Sequence, residues 1–160
     1  MFFLDAILSA PFTRSRAAIA AIALALSMPA AAQVAAPPKP LPVVTIKVAG
    51  HALKVEVVAT AEQRARGLMF REKLGRNDGM LFIFDEPGYH SMWMMNTYIP
   101  LSVAFVDGEG RILNVEDMQP KTLDSHAAQG PARYAIETNI GWFAERKIKA
   151  GDKVTGLPKP

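Results

Sequence analysis

The chain has 160 residues, of which 50% are hydrophobic and 21% are charged, and its formal net charge at pH 7 is +3. This length suits one ordinary domain with its own hydrophobic core. The absence of cysteine excludes disulfides and thiolate chemistry. The small positive charge argues neither for nor against nucleic acid as a partner.

The first 32 residues predict a secretory signal peptide. Arg14 and Arg16 form its positive region, Ala17 to Met28 is a short apolar core, and residues 29–32 offer an A-x-A cleavage site. The apolar core is shorter than the roughly 20 residues that a membrane-spanning helix needs. We therefore expect a periplasmic or secreted protein with no nucleic-acid partner, which meets the membrane only through this segment if it stays uncleaved.

Residues 33–42 are a proline-rich tether, which favours extended polyproline II and buries little. We expect it to be disordered or loosely docked. Residues 43–160 are predicted to form the single folded domain. It opens with two strands, 43–49 and 53–59, in which apolar and polar residues alternate across a turn at Gly50-His51.

The segment after this hairpin predicts a short helix over about residues 61–70. Thr60 and Gln63 have the S/T-x-x-E/Q spacing of a capping box. Arg64 and Arg71 lie seven positions apart, on roughly one face of the helix. These arginines are either part of a solvated basic face or a fork that binds a carboxylate, in this protein or in an anionic ligand.

The rest of the chain predicts short strands separated by turns. The strand-like segments are 80–84, 89–95, 103–106, 111–118, 133–137 and 153–157, and a short helix or turn is expected at 142–147. Hairpin-like units with one or two short helices indicate an α+β fold that is mostly antiparallel β. We expect a compact curved sheet or a small barrel.

Several separated motifs resemble one known family, DUF192 (also called UPF0127), over about residues 43–157. The motifs are Arg64-x-x-Gly67-Leu68-Met69-x-Arg71, Gly79-Met80-Leu81-Phe82-x-Phe84, Trp93-Met94-x-Asn96-Thr97-x-Ile99-Pro100-Leu101, Asp107-x-x-Gly110-x-Ile112 and Ile136-Glu137-x-x-x-Gly141. The resemblance implies an often exported protein with a compact β-rich fold and no agreed catalytic residues. Met95 stands where the family tends to have Lys and Ser102 where it often has Asp, so we expect no chemistry at these two positions.

A site that combines an aromatic wall, an amide, a hydroxyl and a guanidinium would bind a small polar or sugar-like ligand. Trp93, Asn96 and Thr97 supply the first three groups, and Arg64 and Arg71 supply the last. The alternative is that Asn96 and Thr97 only satisfy backbone groups at a turn. The leading prediction is a non-catalytic binding or accessory module for a small polar ligand or an envelope partner.

Asp107 and Glu137 are weak catalytic candidates. If these carboxylates meet, they would supply the acid and base of a hydrolase acting on envelope polysaccharide. Otherwise Asp107 is a turn residue and Glu137 is an internal partner of Arg64 or Arg71. No cysteine and no Gly-x-Ser-x-Gly nucleophile elbow accompanies them.

His90, Met92 and Met94 are weak candidates for a metal site. Thioether sulfur selects Cu(I), so a periplasmic Cu(I)-binding protein is a third hypothesis. Methionine is also a common core residue that packs well on tryptophan, and the same residues suit a hydrophobic ligand or peptide groove. Apart from the copper hypothesis, we expect no cofactor.

Overall fold

The computed structural model describes residues 40–159. The predicted signal peptide and the tether as far as residue 39 lie outside the described residues. Where the description begins, Leu41 packs against the core and the backbone N–H of Val57 donates to the carbonyl of Pro42. Within residues 40–159, no helix combines the length and apolar character that crossing a membrane requires.

Nine strands and two short helices make up the described part of the chain. The strands are β1 (Val43–Val48), β2 (His51–Val58), β3 (Asp78–Gly88), β4 (Ser91–Met92), β5 (Leu101–Val106), β6 (Ile112–Met118), β7 (His126–Ala127), β8 (Ala132–Asn139) and β9 (Val154–Thr155). The helices are α1 (Ala61–Arg66) and α2 (Trp142–Glu145). The predicted helix near residue 61 begins as expected, because Thr60 and Gln63 form the capping box.

Seven strands form one strongly curled, half-barrel sheet in the order β6-β5-β8-β3-β2-β1-β9. Neighbouring strands are antiparallel except β2 and β3, which run parallel with α1 in the connection between them. The two edges of the sheet meet where Arg111 pairs with Lys153. β4 and β7 form a separate two-stranded sheet. The predicted α+β class with a curved, mostly antiparallel sheet is confirmed.

Apolar side chains cover both faces of the sheet. Leu81 and Ile83 of β3 belong to a first cluster, which also contains the buried residues of α2. Met80 and Phe82 belong to a second cluster on the opposite face, because successive strand residues point to opposite sides. Segments that follow α1 and β4 contribute to this second cluster. The cleft described below opens on the same face.

The predicted strand at 89–95 is wrong in extent. Only Ser91 and Met92 pair in a ladder, with β7. Beyond them the backbone turns, and the N–H of Met94 donates to the carbonyl of Thr122. Residues 93–97 therefore form a loop whose hydrogen bonds reach distant parts of the chain.

Backbone geometry places the end of the first helix and the turn of the first hairpin at other residues than predicted. The first helix ends at Arg66 because Gly67 has a φ of 46°, which a glycine adopts at little cost, and its N–H donates to the carbonyl of Gln63. The first hairpin turns at Ala49-Gly50, where both φ values are positive, as a two-residue type I′ turn requires. His51 is consequently the first residue of β2 and is exposed.

We predict that Gly79→Ala destabilises the domain while Gly108→Ala leaves its stability nearly unchanged. A Cβ at Gly79 would lie 2.5 Å from the carbonyl oxygen of Glu137 in the adjoining strand, whereas a Cβ at Gly108 meets nothing within 4 Å. We expect a loss of about 1–3 kcal/mol for Gly79→Ala from this overpacking. Urea unfolding measures both variants, and equal stabilities would contradict the close approach of β3 and β8.

Candidate binding cleft

A cleft of about 450 Å³ opens over the second apolar cluster. Residues 64–69, from α1 and the turn after it, form one side. β3 contributes Phe82 and residues 84–86, and residues 90–93 form the facing side. Thr97 and Glu137 complete the lining. The cleft therefore gathers residues from five separate parts of the sequence.

Glu137 lies at the floor of this cleft, in the middle of β8. Its neighbours across the strands are Met80 in β3 and Val103 in β5, both fully buried. Ile136 belongs to the first apolar cluster, so the next side chain, that of Glu137, points to the opposite face and the cleft. Only 4% of Glu137 is exposed. It is a carboxyl group set among apolar side chains.

The carboxyl group of Glu137 has no hydrogen-bond or ion-pair partner within residues 40–159. No completely enclosed side-chain oxygen in this part of the chain lacks a partner, so the oxygens of Glu137 reach the open space of the cleft. Burial disfavours the charged form and raises the pKa of Glu137 from 4.5 to about 8. The group is therefore mainly protonated at neutral pH.

Arg64 holds the rim of the cleft. Its Nη2 lies 2.7 Å from Oδ2 of Asp85, and its Nη1 donates to the carbonyls of Ile83, at 2.9 Å, and Ala59. The hydrogen bond from Arg64 lowers the pKa of Asp85. These contacts fasten α1 to β3. They also occupy the guanidinium of Arg64 with other acceptors. The expected pairing of Glu137 with Arg64 is therefore wrong.

Arg71 does not reach the cleft. Both of its terminal nitrogens lie 2.6 Å from the carboxylate oxygens of Glu56, and this bidentate hydrogen bonding raises the pKa of Arg71. The expected pairing of Glu137 with Arg71 is therefore wrong as well. Arg71 and Glu56 line a separate cavity near the start of β1.

The remaining predicted ligand-binding residues divide between two places. Trp93 forms a wall of the cleft with 57% of its surface exposed, and Thr97 is a buried residue of the same lining. Asn96 is exposed, has a φ of 56°, and accepts the N–H of Phe70 on its carbonyl. It is a turn residue outside the cleft lining. Arg64, Trp93 and Thr97 are thus brought together, without Arg71 and Asn96.

The proposed copper ligands also separate. His90 and Met92 line the cleft, whereas Met94 is completely buried in the second apolar cluster. The His90 ring stacks on Phe84 with 3.7 Å between centroids, and its Nε2 lies 2.9 Å from the carbonyl oxygen of Glu86. Residues 40–159 contain no group of three or more His, Cys, Asp or Glu side chains arranged to hold a metal ion.

Asp107 occupies the turn between β5 and β6. Its Oδ1 accepts the backbone N–H groups of Glu109 and Arg111, each at 2.8 Å. It is not among the cleft residues. The two carboxylates considered as a catalytic pair thus lie in different surroundings.

Sequence reasoning missed the acidic end of β3. Asp85 and Glu86 line the cleft directly after the apolar run of that strand. The abrupt change from Phe84 to two carboxylates before Pro87-Gly88 is visible in the sequence. Nothing local in the sequence indicates that Arg64 of α1 lies beside Asp85.

The sequence model of the DUF192 family, described as an uncharacterized ACR, matches residues 44–156. A protein of unknown function from Novosphingobium aromaticivorans DSM 12444 is similar in crystal structure, with 36% identity, a TM-score of 0.69, and coverage of 75% of this chain and 93% of that one. A proposed transcription regulator from Sinorhizobium meliloti 1021 is also similar, with 30% identity, a TM-score of 0.71, and coverage of 74% and 96%. No curated protein matches the chain.

We predict that Glu137→Gln makes the protein relatively more stable as the pH rises from 4.5 to 8. In this range the unfolded wild-type chain releases a proton that the folded chain retains, so the wild-type free energy of unfolding falls with pH. The decrease in the wild-type free energy of unfolding approaches about 1.4 kcal/mol per pH unit. The variant lacks the titrating carboxyl group and therefore lacks this decrease. Denaturant unfolding at several pH values measures it. A constant stability difference across the range would contradict the raised pKa.

Proposed function

The chain belongs to the DUF192 family, as its motifs predict, and the description of that family assigns no activity. We therefore propose a function from the cleft. The protein is a non-catalytic binding module that binds a small polar ligand there. The observation that supports this proposal most strongly is the buried carboxyl group of Glu137. It faces the cleft and has no partner within the described chain.

The carboxyl group of Glu137 is largely removed from water, which costs free energy. A buried polar group without a hydrogen bond destabilises a folded protein by roughly 1–3 kcal/mol. The oxygens of Glu137 reach the cleft and bear only part of this cost, and a ligand that hydrogen-bonds them offsets the desolvation of the carboxyl group, which favours the bound state. Pre-formed clefts that bind small molecules are mostly apolar, with a few polar groups that fix the ligand's orientation. The floor and walls of this cleft have that composition.

The dimensions and walls support the same proposal. A volume of about 450 Å³ lies within the range of roughly 300–1,000 Å³ that is typical of small-molecule sites. Trp93 offers a large exposed aromatic surface, against which a flat or ring-shaped ligand can pack. The hydrogen bonds of Arg64 to β3 hold the opposite side in place, so the cleft does not have to form when the ligand arrives.

The positions of the carboxylates favour binding over the hydrolase alternative. Asp85 lines the same cleft as Glu137, but its carboxylate is ion-paired with Arg64. Asp107 lies outside the cleft, in the turn after β5, where its Oδ1 accepts two backbone N–H groups. An acid and base for glycoside hydrolysis are about 5–9.5 Å apart. The Asp107–Glu137 pair therefore has only one member in the cleft, and the Asp85 carboxylate beside it is held by Arg64.

The copper alternative receives less support, because Met94 is completely buried and is not among the cleft residues, whereas His90 and Met92 are. We further propose that the site works in the periplasm or outside the cell. This rests on the signal-peptide pattern of residues 1–32. A ligand or partner of the cell envelope is the corresponding expectation.

A fragment panel of small amines, polyols and carboxylates, screened by protein-detected NMR, tests the proposed site. We expect the shifted signals of the best binder to surround Trp93 and Glu137. Trp93→Ala and Glu137→Gln should each weaken its binding by about tenfold or more, which corresponds to about 1.4 kcal/mol.

Tyr89→Ala is the matched control, because Tyr89 is an exposed aromatic residue outside the cleft lining. It should leave the dissociation constant within about twofold of wild type, since it removes no cleft contact. An unchanged dissociation constant in both Trp93→Ala and Glu137→Gln would contradict the proposal. Shifted NMR signals from residues on another surface would contradict it as well.

A further inference from the structure

The charged groups around the cleft are already engaged or lie away from its floor. Arg64 is bound to Asp85 and to backbone carbonyls, and His90 is hydrogen-bonded to the carbonyl of Glu86. Arg66 is exposed at the rim. No ion pair within residues 40–159 includes Glu137. The floor of the cleft therefore has an acidic group but no cation to neutralise its charged form.

We propose that the ligand of this cleft is a small organic ammonium ion, which the Glu137 carboxylate binds through N–H hydrogen bonds while Trp93 contacts the apolar part. This inference rests on the proposed binding function and specifies its ligand class.

An ammonium ion matches this cleft better than a neutral or anionic ligand. A carboxylate that is desolvated among Met80, Val103 and their neighbours gains more from a cation than from a neutral donor, because Coulomb attraction is weakly screened there. Hydrogen bonds between charged groups are also stronger than neutral ones. The exposed face of Trp93 attracts cations through its ring quadrupole. Once Glu137 is ionised, an anion would meet a second negative charge, and Arg64 is already committed to Asp85.

An organic cation also fits better than a metal ion. Calcium takes six to eight oxygen ligands, and magnesium needs near-octahedral oxygen coordination. The described chain has no cluster of three or more acidic, histidine or cysteine side chains for this purpose. An ammonium group needs only a few acceptors. Glu137 and Thr97 both belong to the cleft lining, and each carries an oxygen that can accept a hydrogen bond.

Binding of this ligand couples to a proton. Burial raises the pKa of Glu137 to about 8, so ammonium binding at neutral pH displaces the proton from the carboxyl group. The charged groups facing the cleft are Arg64 and Arg66 from α1, Asp85 and Glu86 from β3, and His90 before β4. The neighbouring strands place uncharged side chains beside Glu137. Affinity should therefore rise with pH until Glu137 is ionised.

Benzylamine and benzyl alcohol form a matched pair of probes, because they have nearly the same size and differ mainly in charge. Calorimetry at pH 6.5 and 8.5, in buffers of different ionisation enthalpy, measures both affinity and proton release. We expect the amine to bind at least about tenfold more tightly than the alcohol at pH 8.5. Its affinity should fall by up to about tenfold per pH unit below pH 8, with about one proton released per amine at pH 6.5.

Glu137→Gln should abolish the preference for the amine and the proton release. Glu62→Gln is the matched control, since it removes the same formal charge from an exposed position of α1 outside the cleft lining. It should retain both effects. The comparison of the two probes on the wild-type protein remains decisive even if Glu137→Gln does not fold.

Two results would overturn the ammonium proposal and leave the binding cleft intact. One is benzyl alcohol, or another neutral fragment of the panel, binding in the cleft as tightly as benzylamine. The other is proton release that persists in Glu137→Gln. Failure of the amine and of every other panel member to bind the wild-type cleft would overturn both the ligand class and the proposed function.

Discussion

Burial of the Glu137 carboxyl group is the constraint on which the candidate site depends. β8 is a central strand, with β3 on one side and β5 on the other, and its position at Glu137 faces the second apolar cluster. An apolar residue there would extend that cluster. A carboxyl group without an internal partner opposes folding instead. The simplest physical account is that the group serves the cleft at a cost to stability.

The surrounding structure keeps this costly group in place. Gly79 in β3 lets the backbone of β8 approach closely, because a Cβ there would collide with the carbonyl of Glu137. On the other side of the cleft, Arg64 fastens α1 to the end of β3 through Asp85 and Ile83. The carboxyl group and the α1 side of the cleft therefore belong to a fixed arrangement. Pre-organisation of this kind lowers the entropy that a ligand must lose on binding.

Local patterns predicted much of the fold and less of the site. The capping box of Thr60 and Gln63 depends on neighbours three residues apart, so the sequence reveals it directly. The strand-like segment at 133–137, which contains Glu137, is also predicted from the local sequence. The missing partner of Glu137 could not be foreseen, because Arg64 pairs with Asp85 and Arg71 with Glu56 across long sequence distances. The loop at Trp93 is predicted as a strand because its backbone hydrogen bonds also join residues that are far apart in the sequence, which no local pattern reveals.

The pKa of Glu137 in the ligand-free protein tests the account most directly. Carbon-13 NMR of its side-chain carboxyl carbon, titrated from pH 3 to pH 10 and assigned with Glu137→Gln, measures this value. The account predicts a single transition near pH 8 from the desolvated carboxyl group. A transition near its ordinary value of 4.5 would show a solvated or paired carboxylate. That result would contradict the unpartnered acidic floor on which both proposals rest.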